Sequence, residues 1–545
     1  MPSLTVRYTV ALISTALFAQ HHPEPPAAPG KAELTPGLGK LHHAVSTQNA
    51  TAQQFFDQGV CLIYGFNHEA AVKSFERAAE VDPHLAMAWW GVGYALGTNI
   101  NLPLMEQNNE RAYAATQQAL ALKEHASARE KDYIDALAVR YEKKYRTERV
   151  DLDRKYMEAM RGLSQKYPDD LDAATFYAES IMNLHPWKLW THDGKPAEGT
   201  EEAIRVLESV IARDPDHLGA NHYYIHAVEA SPFPERSLAS ANRLGALAPA
   251  AGHLVHMPAH TFMRLGDYDS AARVNVAAAG ADRQYFLKNA PGVYTSYYTH
   301  NVHFLSAALT MQGRNREALA AAKRTALVIQ PVLSMDPGFE KYSAMPILTL
   351  IRTRQWADIL ALPVPAADQV TTANLRHFAM GLAFASQGKL AEAGQQKEAF
   401  EKGVAALPKE RSFGLNPESD VMKIAEHVLA AKIAQANHDG TKMVDELKLA
   451  VAAEDALGYD EPADWYYPPT REALGAALLA NGQPDEAERV FRQDLRDNRR
   501  NGRSLFGLME ALKQQGKADE AALLEPQFRA AWAKADGPLT LSDLF

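Results

Sequence analysis

One pattern recurs along most of this chain: a helix with aromatic or apolar residues, a Gly or Asn, an Ala-rich helix and often a closing Asp-Pro. Its clearest copy is the segment Gly65–Phe75, which closes at Asp82-Pro83. Apolar residues recur at the three- and four-residue spacings of a helix, and strand signals are nearly absent. Because one helix pair cannot bury its apolar face alone, successive pairs must stack into a continuous core. The pattern predicts an all-α array of helix pairs.

Further copies of the turn and second helix begin at Thr200, Gly266, Gly313, Gly388, Gly482 and Gly516. The pattern resembles the tetratricopeptide repeat, which has Trp, Gly and Tyr in its first helix, Ala and Phe in its second, and a closing Pro. Trp90, Gly91 and Tyr94 match the first-helix positions. The resemblance covers roughly residues 50–535 and implies a right-handed superhelical solenoid of tetratricopeptide-like helix pairs. We divide it into N-terminal repeats over 46–330, which carry a histidine cluster, and C-terminal repeats over 331–545.

The start of the chain has the features of a secretory signal. Arg7 precedes an apolar run over residues 9–18, and Ala19 is a plausible cleavage position. We therefore predict a signal peptide over 1–19, a Pro-rich linker over 20–45, and an exported protein whose expected compartment is the periplasm. The apolar run is too short to span a bilayer, and no later run is longer, so we expect no transmembrane segment.

Charge and cysteine content exclude several functions. The formal charge of −10 argues against a sequence-independent nucleic-acid binder, which needs clustered Lys and Arg. Cys61 is the single cysteine, so the chain has no internal disulfide and no cysteine-based zinc or iron–sulfur site. If the protein binds a metal ion, histidine and carboxylate side chains must hold it.

The histidines are concentrated in one part of the chain and fall in register between repeats. Half of the twenty lie within residues 185–303. When repeats are aligned on their turns, the pair His222/His226 of one first helix recurs as His256/His260 in the next. Residues three or four apart lie on one helix face, so each pair forms a stripe.

The tetratricopeptide resemblance implies that the second, fifth and ninth residues of each first helix face a concave groove. Seven histidines occupy these positions: His222, His226, His253, His256, His260, His300 and His303. Stacked helices lie about 8–10 Å apart. Imidazoles from neighbouring first helices can therefore converge on an ion at about 2.0–2.1 Å from each nitrogen. We predict that these seven residues bind metal in the groove.

Two carboxylates accompany the histidines. Glu179 is at the ninth position of the preceding unit, and Glu229 follows His226 by three residues. We expect them to bridge ions, to orient ligands or to act as a general base in catalysis. The same alignment places His427 and Glu472 at the fifth position of later units, which leaves open whether they join the site.

These observations predict an exported tetratricopeptide-repeat metalloprotein with a transition metal, either copper, iron or zinc. A carboxylate-assisted site favours iron or zinc, whereas an all-histidine site in an exported protein favours copper. The chemistry would be that of a metal-dependent oxidase or hydrolase. Two alternatives stay open: a non-enzymatic periplasmic scaffold whose groove binds a peptide, protein or small molecule, and metal storage or buffering. The sequence does not decide whether the protein is an enzyme.

Overall fold

A computed structural model describes residues 32–465 and 469–545. The predicted signal peptide and the first part of the predicted linker lie outside these residues. Within them the chain forms twenty-five α-helices: α1 Ala50–Tyr64, α2 His68–Val81, α3 Ala86–Ala95, α4 Glu106–Ala121, α5 Ala128–Ala138, α6 Val150–Lys166, α7 Leu171–Met182, α8 Thr200–Arg213, α9 Leu218–Glu229, α10 Leu238–Leu247, α11 Gly252–His256, α12 Pro258–Arg264, α13 Tyr268–Phe286, α14 Thr295–Met311, α15 Asn315–Val328, α16 Glu340–Arg352, α17 Trp356–Leu360, α18 Val370–Ser386, α19 Leu390–Ala405, α20 Glu418–Ala436, α21 Gly440–Asp455, α22 Thr470–Ala480, α23 Pro484–Asp497, α24 Gly502–Gln514 and α25 Ala518–Ala531.

Other regular structure in the described residues is short. A two-stranded antiparallel hairpin joins β1 (Ser412–Phe413) to β2 (Asn416–Pro417). Short 3₁₀ helices occur at Lys123–His125, Pro234–Ser237, Gln330–Met335, Pro337–Phe339 and Leu541–Asp543. No described helix is long and apolar enough to cross a bilayer.

The helices stack as the repeat pattern predicts. Most pack against the next helix along the chain, and first helices also contact the first helix of the following unit, as α7 does with α9, α14 with α16 and α18 with α20. Residues 32–545 form one compact unit. The predicted all-α solenoid of tetratricopeptide-like helix pairs is confirmed.

Glycine and asparagine in the repeat motif determine how one helix ends and the next begins. Gly266 has a φ of 72°, a left-handed conformation that side chains disfavour. Asn67 caps α2 by accepting a hydrogen bond from the backbone N–H of Ala70 at 3.2 Å. Gly91 lets Phe75 pack directly against α3, because a Cβ there would lie 2.4 Å from the Phe75 ring. The motif residues therefore set the turn and the helix spacing.

The apolar core has two large parts. The first runs from Leu38 to Ala321 and the second from Ala307 to Phe545, so α14 and α15 contribute to both. The change of core therefore falls within α14 and α15. The two parts are not separate bodies, because α15 packs directly on α16.

The described part of the predicted Pro-rich linker, residues 32–45, is bound to the array. Leu38 is buried in the first core. The backbone N–H of Thr35 donates to Gln58 Oε1 at 2.7 Å, and His43 Nδ1 lies 2.7 Å from Asp172 Oδ2. Apolar burial and hydrogen bonds to helix side chains thus hold a segment that its composition marks as irregular.

Candidate metal centre

Six of the seven predicted histidines come together in two groups of three. Three consecutive first helices supply them: α9, the bent pair α11–α12, and α14. We name the groups the first trio (His222, His226 and His253) and the second trio (His256, His260 and His300). Within each trio, one ring nitrogen of every histidine lies within 4.8 Å of the other two.

Both trios have the same construction. Each takes two histidines four residues apart from one first helix and a third from the next one. α9 supplies the pair of the first trio and α11 supplies His253, whereas α11 and α12 supply the second pair and α14 supplies His300. The second pair spans the bend at Pro258, the first residue of α12. Proline fits this position because the first turn of a helix leaves backbone N–H groups without partners, and proline has no N–H. The site is therefore duplicated by the repeat itself.

In the first trio, hydrogen bonds fix the proton of two rings on Nδ1. His222 Nδ1 lies 2.6 Å from the Tyr64 carbonyl oxygen, so it must carry the hydrogen that it donates. His226 Nδ1 donates in the same way to Glu229 Oε1 at 2.7 Å. The Nε2 atoms are then left with lone pairs. His222 Nε2 lies 3.1 Å from His253 Nε2, and His226 Nε2 has no hydrogen-bond partner among the described residues.

The second trio repeats this arrangement. His256 Nδ1 lies 2.7 Å from Asn275 Oδ1, and the Asn275 amide is oriented because its Nδ2 donates to the Ala271 carbonyl at 2.8 Å. His260 Nδ1 pairs with Glu229 Oε2. The Nε2 atoms of His256 and His260 face each other at 3.0 Å. Two nitrogen lone pairs at this separation repel unless a proton or a cation lies between them.

Glu229 serves both trios at once. One carboxylate oxygen accepts a hydrogen bond from His226 and the other forms an ion pair with His260, and all three side chains are at most 3% exposed. Burial alone would raise the pKa of Glu229, but electrostatic attraction to the neighbouring His260 and His226 lowers it well below its usual range. Of the three roles predicted for Glu229, the geometry fits the orientation of the histidine rings, since each oxygen already contacts an Nδ1 atom.

Burial keeps most of the imidazoles neutral. It lowers the pKa of His222, His253, His256 and His300 well below the ordinary value of 6.5, and charge repulsion between neighbouring histidines lowers it further. His260 is the exception: burial lowers its pKa, but the Glu229 charge and hydrogen bond raise it overall. Neutral imidazole is the form that binds metal ions.

The cluster is buried, which corrects the expectation that it lines an open groove. Five of the six trio histidines are at most 3% exposed, and His300 is partly exposed. Phe66, in the turn after α1, packs on His222 and His253 with ring centroids 4.6 and 5.3 Å apart. From the C-terminal half, the Tyr459 hydroxyl donates to Glu229 Oε2 at 3.3 Å. The chain's own residues thus fill the inner face.

His303 does not join either trio, contrary to the prediction from its register. Its ring packs on Tyr342 of α16 at 5.6 Å between centroids, and burial lowers its pKa to about 3. The repeat explains the difference: the partner positions hold Ala307 on α14 and Lys341 on α16 in place of histidine. The buried Lys341 ammonium lies 3.1 Å from both Asp460 and Asp464, which puts a cation beside His303.

Glu179 also lies outside the trios. It accepts hydrogen bonds from the Tyr94 hydroxyl at 2.9 Å and from Asn183 Nδ2 at 2.6 Å, and burial raises its pKa. On α7 it is one unit before the first histidine pair, and its partners hold it there. The predicted catalytic role therefore has no geometric support at Glu179.

The two later candidates are engaged elsewhere. His427 Nδ1 lies 2.9 Å from Glu446, on the helix that follows. Glu472 accepts from Arg352 and from Asn501 at 2.7 Å in the second core. Neither residue contributes to the trios.

A third group of possible metal ligands forms a hydrogen-bond network instead. His43, Asp170 and Asp172 lie together, but Asp172 accepts from His43, from the Tyr64 hydroxyl at 2.5 Å and from His217 Nε2 at 3.2 Å. His217 Nδ1 accepts from the Ala220 N–H, so its proton is on Nε2, opposite to the trio rings. Both nitrogens of this buried histidine have protein partners, and neither partner is another histidine.

Comparisons with known proteins found solved structures of low similarity. No family model matches the sequence, and no curated protein does. Solved structures similar to the fold include the human IFIT1 dimer with m7Gppp-AAAA, at 12% identity over 89% of this chain and 91% of that chain, with a TM-score of 0.35. The P58(IPK) TPR domain has 12% identity over 86% and 100%, with a TM-score of 0.21. The Cut9–Hcn1 heterotetramer has 10% identity over 90% and 95%, with a TM-score of 0.28.

By its own helix pattern, the chain is a tetratricopeptide-like helical repeat protein. Such arrays form extended surfaces on which partners bind. The histidine trios are a separate feature, since nothing in the repeat requires histidine at these positions: the fifth residue of other first helices is Phe55, Trp90, Ala344 or Phe378.

Proposed function

We propose that this protein is a metalloprotein that binds two transition-metal ions, one in each histidine trio. The observation that carries the proposal is the direction of the ring nitrogens. The Nδ1 hydrogens of His222, His256 and His226 are donated outward to Tyr64, Asn275 and Glu229, so the Nε2 atoms of these three rings turn inward with their lone pairs. His260 Nδ1 also faces outward, in an ion pair with Glu229. Hydrogen bonding of one imidazole nitrogen to a carboxylate or carbonyl is the usual support of a metal-bound histidine.

The closest nitrogen pairs lie near the spacing expected around an ion, which supports the proposal. A tetrahedral ion with bonds of about 2.0–2.1 Å separates its ligand nitrogens by roughly 3.3 Å. The closest Nε2 pairs are 3.1 Å apart in the first trio and 3.0 Å apart in the second. Small rotations of the rings would complete either site. Because each oxygen of Glu229 already contacts an Nδ1 atom, each ligand set is nitrogen only, which favours copper or zinc over iron.

Three protein ligands leave a further coordination position on each ion. Catalytic zinc sites have this composition, with water or substrate as the fourth ligand. We therefore propose metal-dependent oxidase or hydrolase chemistry as the activity to test, with storage or buffering as the alternative use of the same sites. The two uses differ in turnover and share the same metal stoichiometry.

The test is the metal content of untagged protein after reconstitution with copper or zinc and removal of loosely bound ions. The proposal predicts two equivalents per chain. The double variant His226→Ala/His260→Ala removes one ligand from each trio and should lose both, whereas His427→Ala, at a histidine outside the trios, should keep two. Binding of less than about a tenth of an equivalent by the unmodified protein would overturn the proposal.

A further inference from the structure

A cavity of about 550 Å³ lies where the C-terminal end of the array packs against the middle repeats. One wall is the turn over residues 266–269, between α12 and α13, together with Gln312 after α14. The other wall consists of Arg500, between α23 and α24, and of α25 with the residues that follow it. Ligand-binding cavities commonly measure about 300–1,000 Å³. The cavity is therefore large enough for a small ligand, and it is separate from the histidine trios.

Specific contacts hold the two walls of this cavity together. The Tyr268 hydroxyl donates a hydrogen bond to the Arg499 carbonyl at 2.9 Å, and Lys534 Nζ donates to Asp269 Oδ1 at 2.5 Å. Gly266 permits the close approach, because a Cβ there would lie 2.1 Å from the same Arg499 carbonyl oxygen. Residues far apart in the sequence thus form one enclosed space.

Two side chains that line the cavity have unused hydrogen-bonding atoms. Gln312 is 5% exposed, and its Nε2 donates to the carbonyls of Tyr268 and Ala308 at 3.0 and 3.1 Å. Its Oε1 accepts no hydrogen bond from the described residues. On the opposite wall, the Arg500 guanidinium has no ion pair or hydrogen bond with a described residue. A buried polar atom without a partner is costly, so Gln312 Oε1 requires a donor from a ligand or from water.

The backbone of Arg500 is also unusual. Its φ is 58°, a left-handed conformation that residues other than glycine disfavour. Arg500 Cβ lies 3.0 Å from the position that a Cβ on Gly266 would take, so this arginine directly adjoins the turn that carries Asp267. Residues in disfavoured backbone conformations occur more often at ligand sites than elsewhere.

The charges that line the cavity are balanced: Asp267 and Asp269 against Lys534 and Arg500. Asp269 and Lys534 pair with each other. Asp267 Oδ1 caps α13 by accepting from the Ser270 N–H at 3.1 Å, and its second oxygen accepts from no described residue. Charged groups around the walls have partners of their own: Arg273 and Arg314 with Asp269, Arg314 with Glu317, Arg316 with Asp536, Arg499 with Glu235, Arg352 with Glu472, Asp494 with Asn501 and Ser504, and Glu461 with the Arg264 charge. Asp267 and Arg500 remain as an available pair of opposite charges.

We propose that this cavity binds a small zwitterion, a molecule of about dipeptide size with one ammonium and one carboxylate group. The carboxylate pairs with Arg500, whose planar guanidinium can donate two parallel hydrogen bonds to it. The ammonium pairs with Asp267, and an N–H of the ligand donates to Gln312 Oε1. A ligand with a single charge would leave either Asp267 or Arg500 without a counter-charge. The proposal is independent of metal binding by the trios.

The experiment is calorimetric titration of the full chain with three probes of similar size: L-alanyl-L-alanine, its N-acetyl derivative and its C-terminal amide. Acetylation removes the ammonium charge, and amidation removes the carboxylate charge. We expect saturable binding of alanylalanine. Each blocked form should bind about tenfold more weakly or worse, because it loses one charge-assisted hydrogen bond.

Two variants assign the two ends of the probe to their partners. Arg500→Gln should bind alanylalanine and its amide equally, because the carboxylate has lost its partner. Asp267→Asn should bind alanylalanine and its acetyl derivative equally, and asparagine still caps α13. The matched controls are Arg496→Gln, at an exposed arginine of α23, and Asp439→Asn, at the residue that caps α21 in the same way. Both controls should bind all three probes as the unmodified protein does.

Three results would overturn the proposal. The first is the absence of saturable heat with alanylalanine at millimolar concentration. The second is equal affinity of the unmodified protein for all three probes. The third is retention of both preferences in Arg500→Gln and in Asp267→Asn. Protection from heat by alanylalanine in the unmodified protein and in both controls, but in neither cavity variant, would support the proposal independently of calorimetry.

Discussion

Glu229 holds the Nδ1 nitrogen of His260, a residue of the next helical repeat, and so ties the two trios together. The same carboxylate orients His226 of its own helix. Rings from the two trios therefore approach to 5.8 Å between the centroids of His226 and His260. One buried carboxylate therefore contacts a histidine of each trio.

This sharing predicts that Glu229→Gln weakens metal binding at both sites. A glutamine has one acceptor oxygen and no charge, so it cannot orient both Nδ1 hydrogens. Loss of such an outer partner typically costs about 10–100-fold in metal affinity. Competition with a chelator would measure the two dissociation constants.

Asn275→Ala is the matched comparison, because Asn275 orients His256 alone. It should weaken the second site and leave the first unchanged. If Glu229→Gln affected one site only, the shared role would be wrong.

Two neighbouring histidines of α14, His300 and His303, can be compared to test which of them binds metal. His300→Ala should reduce bound metal from two equivalents to one, because the second trio loses a ligand. His303→Ala should retain two, since that ring packs on Tyr342. Elemental analysis of both variants, with circular dichroism to verify folding, gives the answer. The reverse pattern would assign His303 to the site and exclude His300.

Access to the second trio should depend on Tyr459. Its hydroxyl donates to Glu229, and its ring packs on Arg264 with the guanidinium 5.8 Å from the ring centroid. Tyr459→Ala should speed removal of metal by a chelator and leave the final stoichiometry at two. Tyr167→Ala, at a surface tyrosine bound to Asp132, is the control. Equal release rates in all three proteins would show that Tyr459 does not cover the site.

The buried carboxyl group of Asp282 should make the stability of the fold depend on pH. It lies fully buried on α13, and burial raises its pKa from 3.8 to about 7, although hydrogen bonds from Asn301 and Tyr294 oppose this. The folded chain then keeps a proton that the unfolded chain releases between about pH 4 and 7. This group's contribution to the free energy of unfolding therefore falls as pH rises through that window.

Asp282→Asn removes this loss. Relative to the unmodified protein, the variant should be more stable at pH 8 than at pH 5, with the difference growing by about 1.4 kcal/mol for each pH unit up to about pH 7. Asn301 Oδ1 has no hydrogen-bond partner among the described residues, so its amide can turn to accept from the new side chain. Urea unfolding at both pH values measures the effect, with Asp358→Asn at an exposed carboxyl as control. A difference that does not change with pH would contradict the assignment.

Local signals account for what the sequence predicts well. The Gly and Asn turns define the first helices, and with them the register that brings His222/His226 and His256/His260 into equivalent positions. Register alone fails at His303, because a site needs partners on two helices and the partner positions there are Ala307 and Lys341. The helical repeats continue beyond His303, but the paired histidine positions do not.

The remaining features of the site depend on long-range contacts. The Tyr64 carbonyl that orients His222 is a backbone group 158 residues away, and Tyr459 reaches Glu229 across 230 residues. Neither leaves a sequence signal, since any residue has a carbonyl and tyrosine is common in these helices. The burial of the trios has the same origin, because the curvature of the array decides what fills its inner face.

The most direct test of the two-metal account is anomalous diffraction from crystals of the reconstituted protein, recorded at the absorption edge of the bound metal. The account predicts two anomalous peaks, each marking one ion. The first ion is bonded to Nε2 of His222 and His226 and to His253. The second is bonded to Nε2 of His256 and His260 and to His300. Metal-loaded protein without a peak in either trio, or with its peaks only at other residues, would contradict it.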